Sequence, residues 1–468
     1  MIRIYCDSNV FRLLKPTSKQ FKQEIFDYFE SIRKNAVFVF SEAHLDDLRP
    51  SPEYFRNEDL EYMEKYTDDL FIQYNHSTKI WDCFRATPKM AYEERNFTAY
   101  EDALKNPFDF RSLIADLGDF PGKELVCKMV ETALSAPISV HGDGEVTPEI
   151  IEQNKELLDK MVPGYHPDMS VGSFMGNIQP FLKGLFEDHK EFDELHRSAT
   201  AYIDTNEFKY EKWGLAFNEQ LEKTLVGKKF TDILRQLSSA NEGIDYWQQF
   251  FQAYLMLELL GITEEKAGGK RKKNNMLDLT KDCAHAFNAM SCDYFITNDK
   301  GLLVKAQILY HIFQVNSTKI INLDELDSFD LAQSQVDPLN KLIPFLKLLP
   351  KSLEVDQSVI TYPLKDTFLH YFDSVSKFRI NDKMYMIWAS KDGGHYFMYR
   401  ELLKVCSLVV GIWGKDSSGK DEVGIEELAM LAKSDISESI RIWSFQDAYV
   451  QLMCNGSERM FFLMLTFK

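Results

Sequence analysis

Four carboxylates that are widely spaced along the chain have the residue types needed for metal chemistry. They are Asp7, Glu42, Asp282 and Asp299. Several carboxylates in one crevice raise each other's pKa values unless a cation neutralises them. Carboxylate oxygens suit Mg²⁺ or Mn²⁺, and such ions activate water and stabilise charge on a phosphoryl group. These residues therefore predict metal-assisted hydrolysis of a phosphodiester, provided that the fold brings them together.

Three predicted strands lead to these carboxylates. Ile2–Cys6 alternates apolar and polar residues, Ala36–Phe40 is a continuous apolar run, and Tyr294–Thr297 is aromatic and β-branched. In open α/β sheets, ligands bind at the carboxyl ends of the strands. If these three strands are neighbours in one sheet, Asp7 and Asp299 meet at that edge.

Helices are predicted between the strands, and Asp282 begins the apolar part of one of them. The predicted elements after the first strand are a helix over 21–32, a helix from Glu42 capped by Ser41, a helix from Asp278, a helix over 302–313 and a strand over 319–323. Strands that alternate with helices predict right-handed parallel crossovers. The fold class is therefore α/β with a parallel sheet.

The middle and the end of the chain have different patterns. From about 51 to 275 the alternation disappears, and apolar residues recur at helical spacing, as in Leu60–Tyr74. We therefore expect a mostly helical insertion (51–275) between two halves of one α/β domain (1–50 and 276–330). A C-terminal α+β domain (340–468) is predicted from short alternating segments at 378–380, 384–389, 396–398, 407–413, 439–443 and 459–466.

Composition excludes several classes of function. The formal net charge of −18 argues against unspecific binding of polyanions. No apolar run is long enough for a membrane span, and the first residues lack the features of a signal peptide. Seven scattered cysteines without a C-x-x-C pair fit reduced thiols, so we expect a cytoplasmic protein. The motifs of P-loop nucleotide hydrolases, α/β-hydrolases and zincins are absent.

Further residues are candidates for substrate contacts, each with a plainer alternative. A basic patch before the late helix is either a solvated linker or a loop that holds phosphate. His285, one turn after Asp282, could orient a carboxylate, touch phosphate or be an ordinary buried helix histidine. Asp46 and Asp47 lie close enough to Glu42 to compete for its role. The candidate phosphate contacts are Asn9, Lys270, Arg271, Lys272, Lys273, His285 and Lys300.

The order of the segments CDSNVF, FSE, DCAHAF and CDYFITND resembles the PIN-domain nucleases. It is most similar to the larger PIN-like branch, in which a D-x-x-H helix precedes a strand that ends in T-N-D. The resemblance covers residues 1–50 and about 276–325. It implies a Rossmann-like parallel sheet, here split by the insertion, and Mg²⁺- or Mn²⁺-dependent endonucleolytic cleavage, most often of RNA. It also implies that the four carboxylates are both the metal ligands and the catalytic residues.

Two other functions stay open at this stage. One is a catalytically degenerate PIN-like scaffold that binds RNA or a protein partner, the latter through the insertion or the C-terminal domain. The other is a DNA nuclease on a related fold, which needs more acidic residues and a DNA-binding surface. Carboxylates too far apart to share a cation favour the scaffold. Competing RNA and DNA substrates separate the two nucleases.

Overall fold

Two β-sheets, one mostly parallel and one antiparallel, organise the α/β chain. The structure, a computed structural model, describes residues 2–33, 36–95, 97, 135, 155, 162–166, 169–187, 190, 216–224, 226–239, 245–260, 262, 276–328, 339–349, 359–378, 383–389, 391, 394–431, 434 and 436–468. The chain forms two compact units, of which unit 1 contains Met1–Glu93 and Ala284–Lys468 and unit 2 contains Glu94–Cys283. Among the described helices, none is both long and apolar enough to cross a bilayer.

The first sheet has six strands in the order β4-β3-β2-β1-β5-β6. All neighbouring pairs are parallel except β3 and β4, which form an antiparallel pair at one edge. The strands are β1 (Ile2–Cys6), β2 (Ala36–Ser41), β3 (Leu70–Asn75), β4 (Ile80–Arg85), β5 (Tyr294–Thr297) and β6 (Lys319–Asn322). The expectation that the three strands before the carboxylates are neighbours is confirmed, because β1 lies between β2 and β5.

Fourteen helices lie in the described part of the chain. They are α1 (Ser8–Leu14), α2 (Gln23–Ile32), α3 (Glu42–Leu48), α4 (Glu53–Thr67), α5 (Pro88–Glu94), α6 (Val171–Glu187), α7 (Phe217–Leu221), α8 (Phe230–Ser239), α9 (Tyr246–Leu259), α10 (Met276–Ala289), α11 (Lys300–Ile312), α12 (Leu339–Leu348), α13 (Gly394–Trp413) and α14 (Ile425–Leu431). A 3₁₀ helix, Leu323–Ser328, follows β6.

The central strands of the first sheet are buried along their whole length. Every residue of β1 and β2 is buried, as is typical of parallel strands covered on both faces. Three of the helices that follow the strands begin at a side-chain cap, which satisfies backbone N–H groups of the first turn. Asp7 caps α1, Ser41 caps α3 and Asp299 caps α11.

The predicted helical region between 51 and 275 contributes two strands to the first sheet. The helical pattern read over Leu60–Tyr74 is wrong beyond Thr67, where α4 ends and β3 begins three residues later. Alternate residues of β3 are buried, so β3 has the two-residue period of a strand with one buried face. The described elements of unit 2 include helices α6 to α9, and the Phe217 and Phe230 rings of α7 and α8 pack 5.6 Å apart.

The second sheet is antiparallel throughout, in the order β10-β11-β12-β9-β8-β7. Its strands are β7 (Val359–Phe368), β8 (Phe372–Phe378), β9 (Met384–Trp388), β10 (Glu438–Ser444), β11 (Ala448–Asn455) and β12 (Met460–Phe467). Two of the predicted alternating segments, 396–398 and 407–413, belong instead to helix α13. Most residues of α13 are at least half-buried, and this weakens the polar stripe by which a helix is recognised in a sequence.

Side chains from α13 reach the amino ends of the parallel strands. Arg3 in β1 forms a bidentate ion pair with Glu401, with N–O distances of 2.7 and 2.8 Å, and both side chains are buried. Lys404 Nζ donates to the Ala36 carbonyl at the start of β2 (2.8 Å), and Arg400 pairs with Asp68 just before β3 (2.9 Å). Residues of the C-terminal α13 therefore cover the amino edge of the first sheet.

A second group of paired charges lies at the same edge. Asp293, just before β5, accepts a hydrogen bond from the Arg3 backbone N–H (2.7 Å) and another from Lys391 Nζ (2.6 Å). Burial alone would raise the pKa of Asp293, but Lys391 and the Arg3 N–H outweigh that effect and lower it. The pKa of the Arg3 guanidinium, which burial alone would lower, is raised by Glu401.

Candidate functional site

Asp7 leaves the carboxyl end of β1 in a position fixed by its neighbours. Its backbone N–H donates to the Ile296 carbonyl of β5 (2.9 Å), and one carboxylate oxygen accepts from the Asn9 N–H (2.9 Å). The other oxygen accepts from the Thr297 hydroxyl (2.8 Å). Asp7 is only 3% exposed, so its carboxylate is held against the end of the sheet.

Asp299 is tied to the same edge through Thr297. Its backbone N–H donates to Thr297 Oγ1 (3.0 Å), and its side chain accepts from the Leu302 N–H (2.9 Å) as the cap of α11. Because the Thr297 hydroxyl also donates to Asp7, two of the predicted carboxylates are joined by one side chain. The Asn298 side chain is exposed.

One cluster of metal-ligand type exists among the described residues. It consists of Asp7, Asp47 and His285, whose candidate ligand atoms all lie within 4.8 Å of one another. Asp7 and His285 are buried and Asp47 is half-buried. Asp47 Oδ2 lies 2.9 Å from His285 Nε2. The cluster draws on β1, α3 and α10, so the chain supplies its three members from residues far apart in sequence.

The predicted ligand set overlaps this cluster in Asp7 alone. Glu42, half-buried in the first turn of α3, and Asp299 are outside it. Asp47, which was a competitor of Glu42 on sequence grounds, lies inside it. Asp282 is half-buried in the part of α10 that belongs to unit 2. The metal-binding roles of Glu42, Asp282 and Asp299 stay predictions.

The predicted phosphate contacts are found in different surroundings. Asn9 is exposed and Lys300 is the exposed first residue of α11. His285 is buried inside the cluster. Lys270, Arg271, Lys272 and Lys273 lie outside the described residues.

The His285 ring is held from its other side by hydroxyl groups. Its Nδ1 lies 2.9 Å from the Tyr5 hydroxyl, which in turn lies 2.6 Å from Ser41 Oγ. Burial raises the pKa of Tyr5 well above its usual range, so its hydroxyl keeps its proton at neutral pH. Tyr5 and Ser41 therefore form a neutral relay between the carboxyl ends of β1 and β2.

His44 completes this support as a neutral ring. The Ser41 N–H donates to His44 Nδ1 (3.1 Å), so the proton of the ring is on Nε2, which donates to the Cys6 carbonyl (2.7 Å). Burial lowers the pKa of His44 to about 3, with a further lowering by His285. The His44 and His285 rings meet edge to face with their centroids 4.8 Å apart.

Two arrangements of protons satisfy the relay. In the first, Tyr5 donates to His285 Nδ1 and His285 Nε2–H donates to Asp47. In the second, His285 Nδ1–H donates to Tyr5, Tyr5 donates to Ser41, and Nε2 keeps a lone pair. A histidine that binds a metal must present an unprotonated nitrogen, and its other N–H is commonly held by a second residue. The second arrangement meets both conditions, so the donor set fits a divalent cation.

The same contacts exclude a serine-hydrolase triad around His285. In such a triad, serine and aspartate bind opposite nitrogens of the imidazole. Here Ser8 Oγ (3.4 Å) and Asp47 Oδ2 (2.9 Å) both face Nε2, while Nδ1 faces Tyr5. Ser8 is therefore not placed to lose a proton to a base oriented by Asp47.

Sequence reasoning did not select Tyr5 and Ser41 as supports, and it treated Asp47 only as a competitor. Asp47 and His285 are separated by 238 residues, so no local spacing connects them. In the alternation of β1, Tyr5 shares its side of the strand with Arg3, and nothing in that pattern connects it to His285. No family model, no curated protein and no solved structure matches this chain.

Proposed function

We propose that this protein is a PIN-like, metal-dependent endonuclease that hydrolyses phosphodiester bonds, with RNA as its substrate. The observation that supports this most is the grouping of Asp7, Asp47 and His285 at the carboxyl edge of a parallel sheet. In α/β folds, this edge is where ligands bind. The chain is read as PIN-like from its ordered motifs and from β1 lying between β2 and β5.

Asp7, Asp47 and His285 are the residues that would hold the ion. A divalent cation bound there supplies Lewis-acid activation of water and neutralises charge on a phosphoryl group. The two carboxylates contribute the negative charge that attracts the cation, and His285 contributes a neutral nitrogen. Because imidazole suits transition metals better than Mg²⁺, this donor set favours Mn²⁺ over Mg²⁺.

The neighbouring groups orient these ligands. Thr297 and the Asn9 N–H hold the Asp7 carboxylate, and Tyr5 fixes the plane of the His285 ring. A ligand held by such hydrogen bonds loses little freedom when a cation binds. We propose that Asp299, linked to Asp7 through Thr297, adds negative charge beside the cluster.

A cleavage assay with the full chain tests this proposal. A 5′-labelled RNA is incubated with Mn²⁺ or Mg²⁺, and products are resolved on a gel. We expect Asp7→Asn and Asp47→Asn to lower the cleavage rate at least about 100-fold, because each removes a charged ligand. Asp27→Asn, a surface carboxylate of α2 that hydrogen-bonds Gln23, is the matched control. Unchanged cleavage in both site variants, or the same rate without metal, overturns the proposal.

Two of the three remaining predicted ligands are tested in the same assay. Asp282→Asn and Asp299→Asn should each reduce the rate while the far-ultraviolet circular dichroism stays that of the parent chain. Activity equal to the parent in one of these variants removes that residue from the site without affecting the others. A DNA strand of the same sequence, offered in competition, decides between RNA and DNA.

One observation favours a second candidate function, a non-cleaving PIN-like scaffold. The hydrogen bond between His285 and Asp47 satisfies both groups without any cation. A site closed in this way binds RNA or a protein without cutting it. Calorimetry with Mn²⁺ separates the two functions, since the scaffold predicts no binding heat that depends on Asp47.

A further inference from the structure

The second sheet has an inner face that is covered by helices of the same chain. Successive residues of a strand point to opposite faces, and the pairing register shows which residues of neighbouring strands share a face. On the inner face, Trp443 packs against Trp413 of α13, and Arg441 pairs with Glu427 of α14 (2.6 Å). All inner residues with a printed partner in β8 to β12 are buried, namely Val375, Lys377, Tyr385, Ile387, Arg441, Trp443, Val450, Leu452, Leu463 and Leu465.

The outer face of the same sheet is partly open to solvent. It consists of three rows of side chains that cross the strands from β10 to β7. The rows are Ser444, Tyr449, Thr466, Met384, Phe378 and Val359; then Ile442, Gln451, Met464, Met386, Ser376 and Thr361; then Ser439, Met453, Phe462, Trp388, Ser374 and Pro363. Apart from Ser376 and Phe462, all of these residues are half-buried or exposed.

The outer face carries no charge. Its rows contain no Asp, Glu, Lys, Arg or His, although 27% of the chain is charged. The Trp388 Nε1–H donates to Ser376 Oγ (2.9 Å), and Ser376 Oγ lies 2.8 Å from Thr361 Oγ1, so these polar groups are satisfied within the face. The solvated side of an antiparallel sheet is ordinarily polar, and a contiguous apolar surface marks a site of interaction.

We propose that the outer face of the second sheet is the surface through which two copies of this chain associate. Each copy has a formal net charge of −18, so two copies repel each other over most of their surfaces. In a symmetric dimer, residues near the axis meet their own copies, and an uncharged face avoids contacts between like charges. A nucleic acid would require cations, which the rows do not contain. The proposal is independent of the nuclease function.

The size and the chemistry of the face fit a dimer interface. The six strands, about 4.8 Å apart, form a surface about 29 Å wide, and the three rows extend about 20 Å along the strands. Two such surfaces in contact remove on the order of 1,200 Å² from water, which is the lower end of the range for stable interfaces. Four methionines lie on the face, and their flexible side chains adapt to an opposing sheet.

Sedimentation equilibrium with the full chain tests the association. We expect the parent to approach twice its chain mass of 54.5 kDa. Met386→Glu, in the middle row, buries an unpaired charge in the dimer and should raise the dissociation constant at least about 100-fold. Ile442→Glu, at a side chain that is 37% exposed in the single chain, should weaken the dimer without loss of the fold. A circular-dichroism melt confirms that each variant is folded.

Met430→Glu is the matched control. Met430 is an exposed methionine of α14, the helix that contacts the inner face, so this variant should associate as the parent does. A parent chain that stays monomeric at high concentration overturns the proposal. A dimer that is indifferent to both Met386→Glu and Ile442→Glu also overturns it.

Oxidation of methionines by hydrogen peroxide identifies the face that is covered. Sulfoxide formation at Met386 and Met464 should slow as the protein concentration rises through the dissociation constant, whereas Met430 should react at a constant rate. Slow oxidation of the face at every dilution would mean that the same chain covers it, which contradicts the proposal. Protection that occurs only in a cell extract would assign the face to a different protein and would equally exclude a second copy.

Discussion

The two edges of the parallel sheet in unit 1 carry charges in opposite ways. At the amino edge, Arg3 faces Glu401, Lys391 faces Asp293 and Arg400 faces Asp68, so each charge has a partner of opposite sign. At the carboxyl edge, Asp7 and Asp299 are carboxylates held by hydroxyl and N–H groups. No lysine or arginine pairs with Asp7 in the described chain.

This difference leads us to expect that the two ends of the same strands contribute differently to stability and to binding. The charges at the amino edge are paired only when the C-terminal residues that carry Lys391, Arg400 and Glu401 are in place. Carboxylates that are held by neutral donors keep their negative charge available for a cation. We therefore expect changes at the amino edge to alter the free energy of unfolding, and changes at the carboxyl edge to alter binding and catalysis.

Removal of residues 329–468 should have the largest effect. The truncation takes away α13 and the second sheet, leaving the buried Arg3 without Glu401 and uncovering apolar residues of unit 1. We expect the remaining chain to lose cooperative unfolding in a circular-dichroism melt. A truncated chain that melts with the same midpoint and steepness as the parent would show that residues 329–468 form an independent module.

Glu401→Gln should be the most damaging single substitution at the amino edge. It leaves the buried Arg3 guanidinium without its counter-charge, which costs about 3–5 kcal/mol in comparable cases. Urea denaturation measures this loss. Glu458→Gln, at an exposed turn, should change the unfolding free energy by less than about 0.5 kcal/mol. The comparison of the two edges breaks down if Glu401→Gln is as stable as the parent.

Tyr5→Phe should act on binding at the carboxyl edge. It removes the hydroxyl that fixes the proton on His285 Nδ1, and loss of such support typically weakens metal affinity about 10–100-fold. Isothermal titration calorimetry with Mn²⁺ measures the change. Tyr294→Phe, at a half-buried tyrosine of β5, is the control and should bind Mn²⁺ as the parent does. Identical affinities for the two variants would show that Tyr5 is only a core residue.

Asp293→Asn should give a smaller effect that depends on pH. The pKa of Asp293 is lowered on folding, so its charged form stabilises the protein above the unfolded value of about 3.9, and this contribution disappears as the pH falls through the folded value. The side chain is 29% exposed, so we expect a loss of about 1–3 kcal/mol at pH 7.

The pH profile distinguishes this contribution from a general weakening. Chemical denaturation of the parent and of Asp293→Asn at a series of pH values should show their difference shrinking in acid. A difference that stays constant down to about pH 2 would mean that the ion pairs of Asp293 are not its cause.

Much of the first sheet could be predicted because its strands have local patterns. β1 alternates apolar and polar residues, β2 and β5 are short apolar runs, and a helix-capping residue ends or follows each of these three strands; both properties are visible in the sequence. β3 could not be separated from α4 by periodicity, since Leu60–Tyr74 also fits a helix. The segments 396–398 and 407–413 were predicted as strands because α13 is apolar and at least half-buried, so it lacks a clear polar stripe.

The sequence predicted those parts of the candidate site that lie close after a strand or one helical turn after Asp282. Asp7 follows β1 directly, Asp299 lies two residues after β5, and the structure joins these two through Thr297. His285 was a candidate from its place in the late helix. The contact of Asp47 with His285 depends on how α3 and α10 pack on the sheet. Such packing produces no regular spacing of residues that could be recognised in the sequence. The hydrogen bonds of Tyr5 with His285 and Ser41 could not be predicted, because a buried tyrosine is usually only a core residue.

Asp7 has a consequence beyond its own charge, because the same carboxylate caps α1. Under the proposed function, an ion that draws on the Asp7 oxygens competes with the Asn9 N–H for them and weakens the cap of α1. Thermodynamic reciprocity then requires that any change that strengthens this cap lowers the affinity for the ion by the same factor.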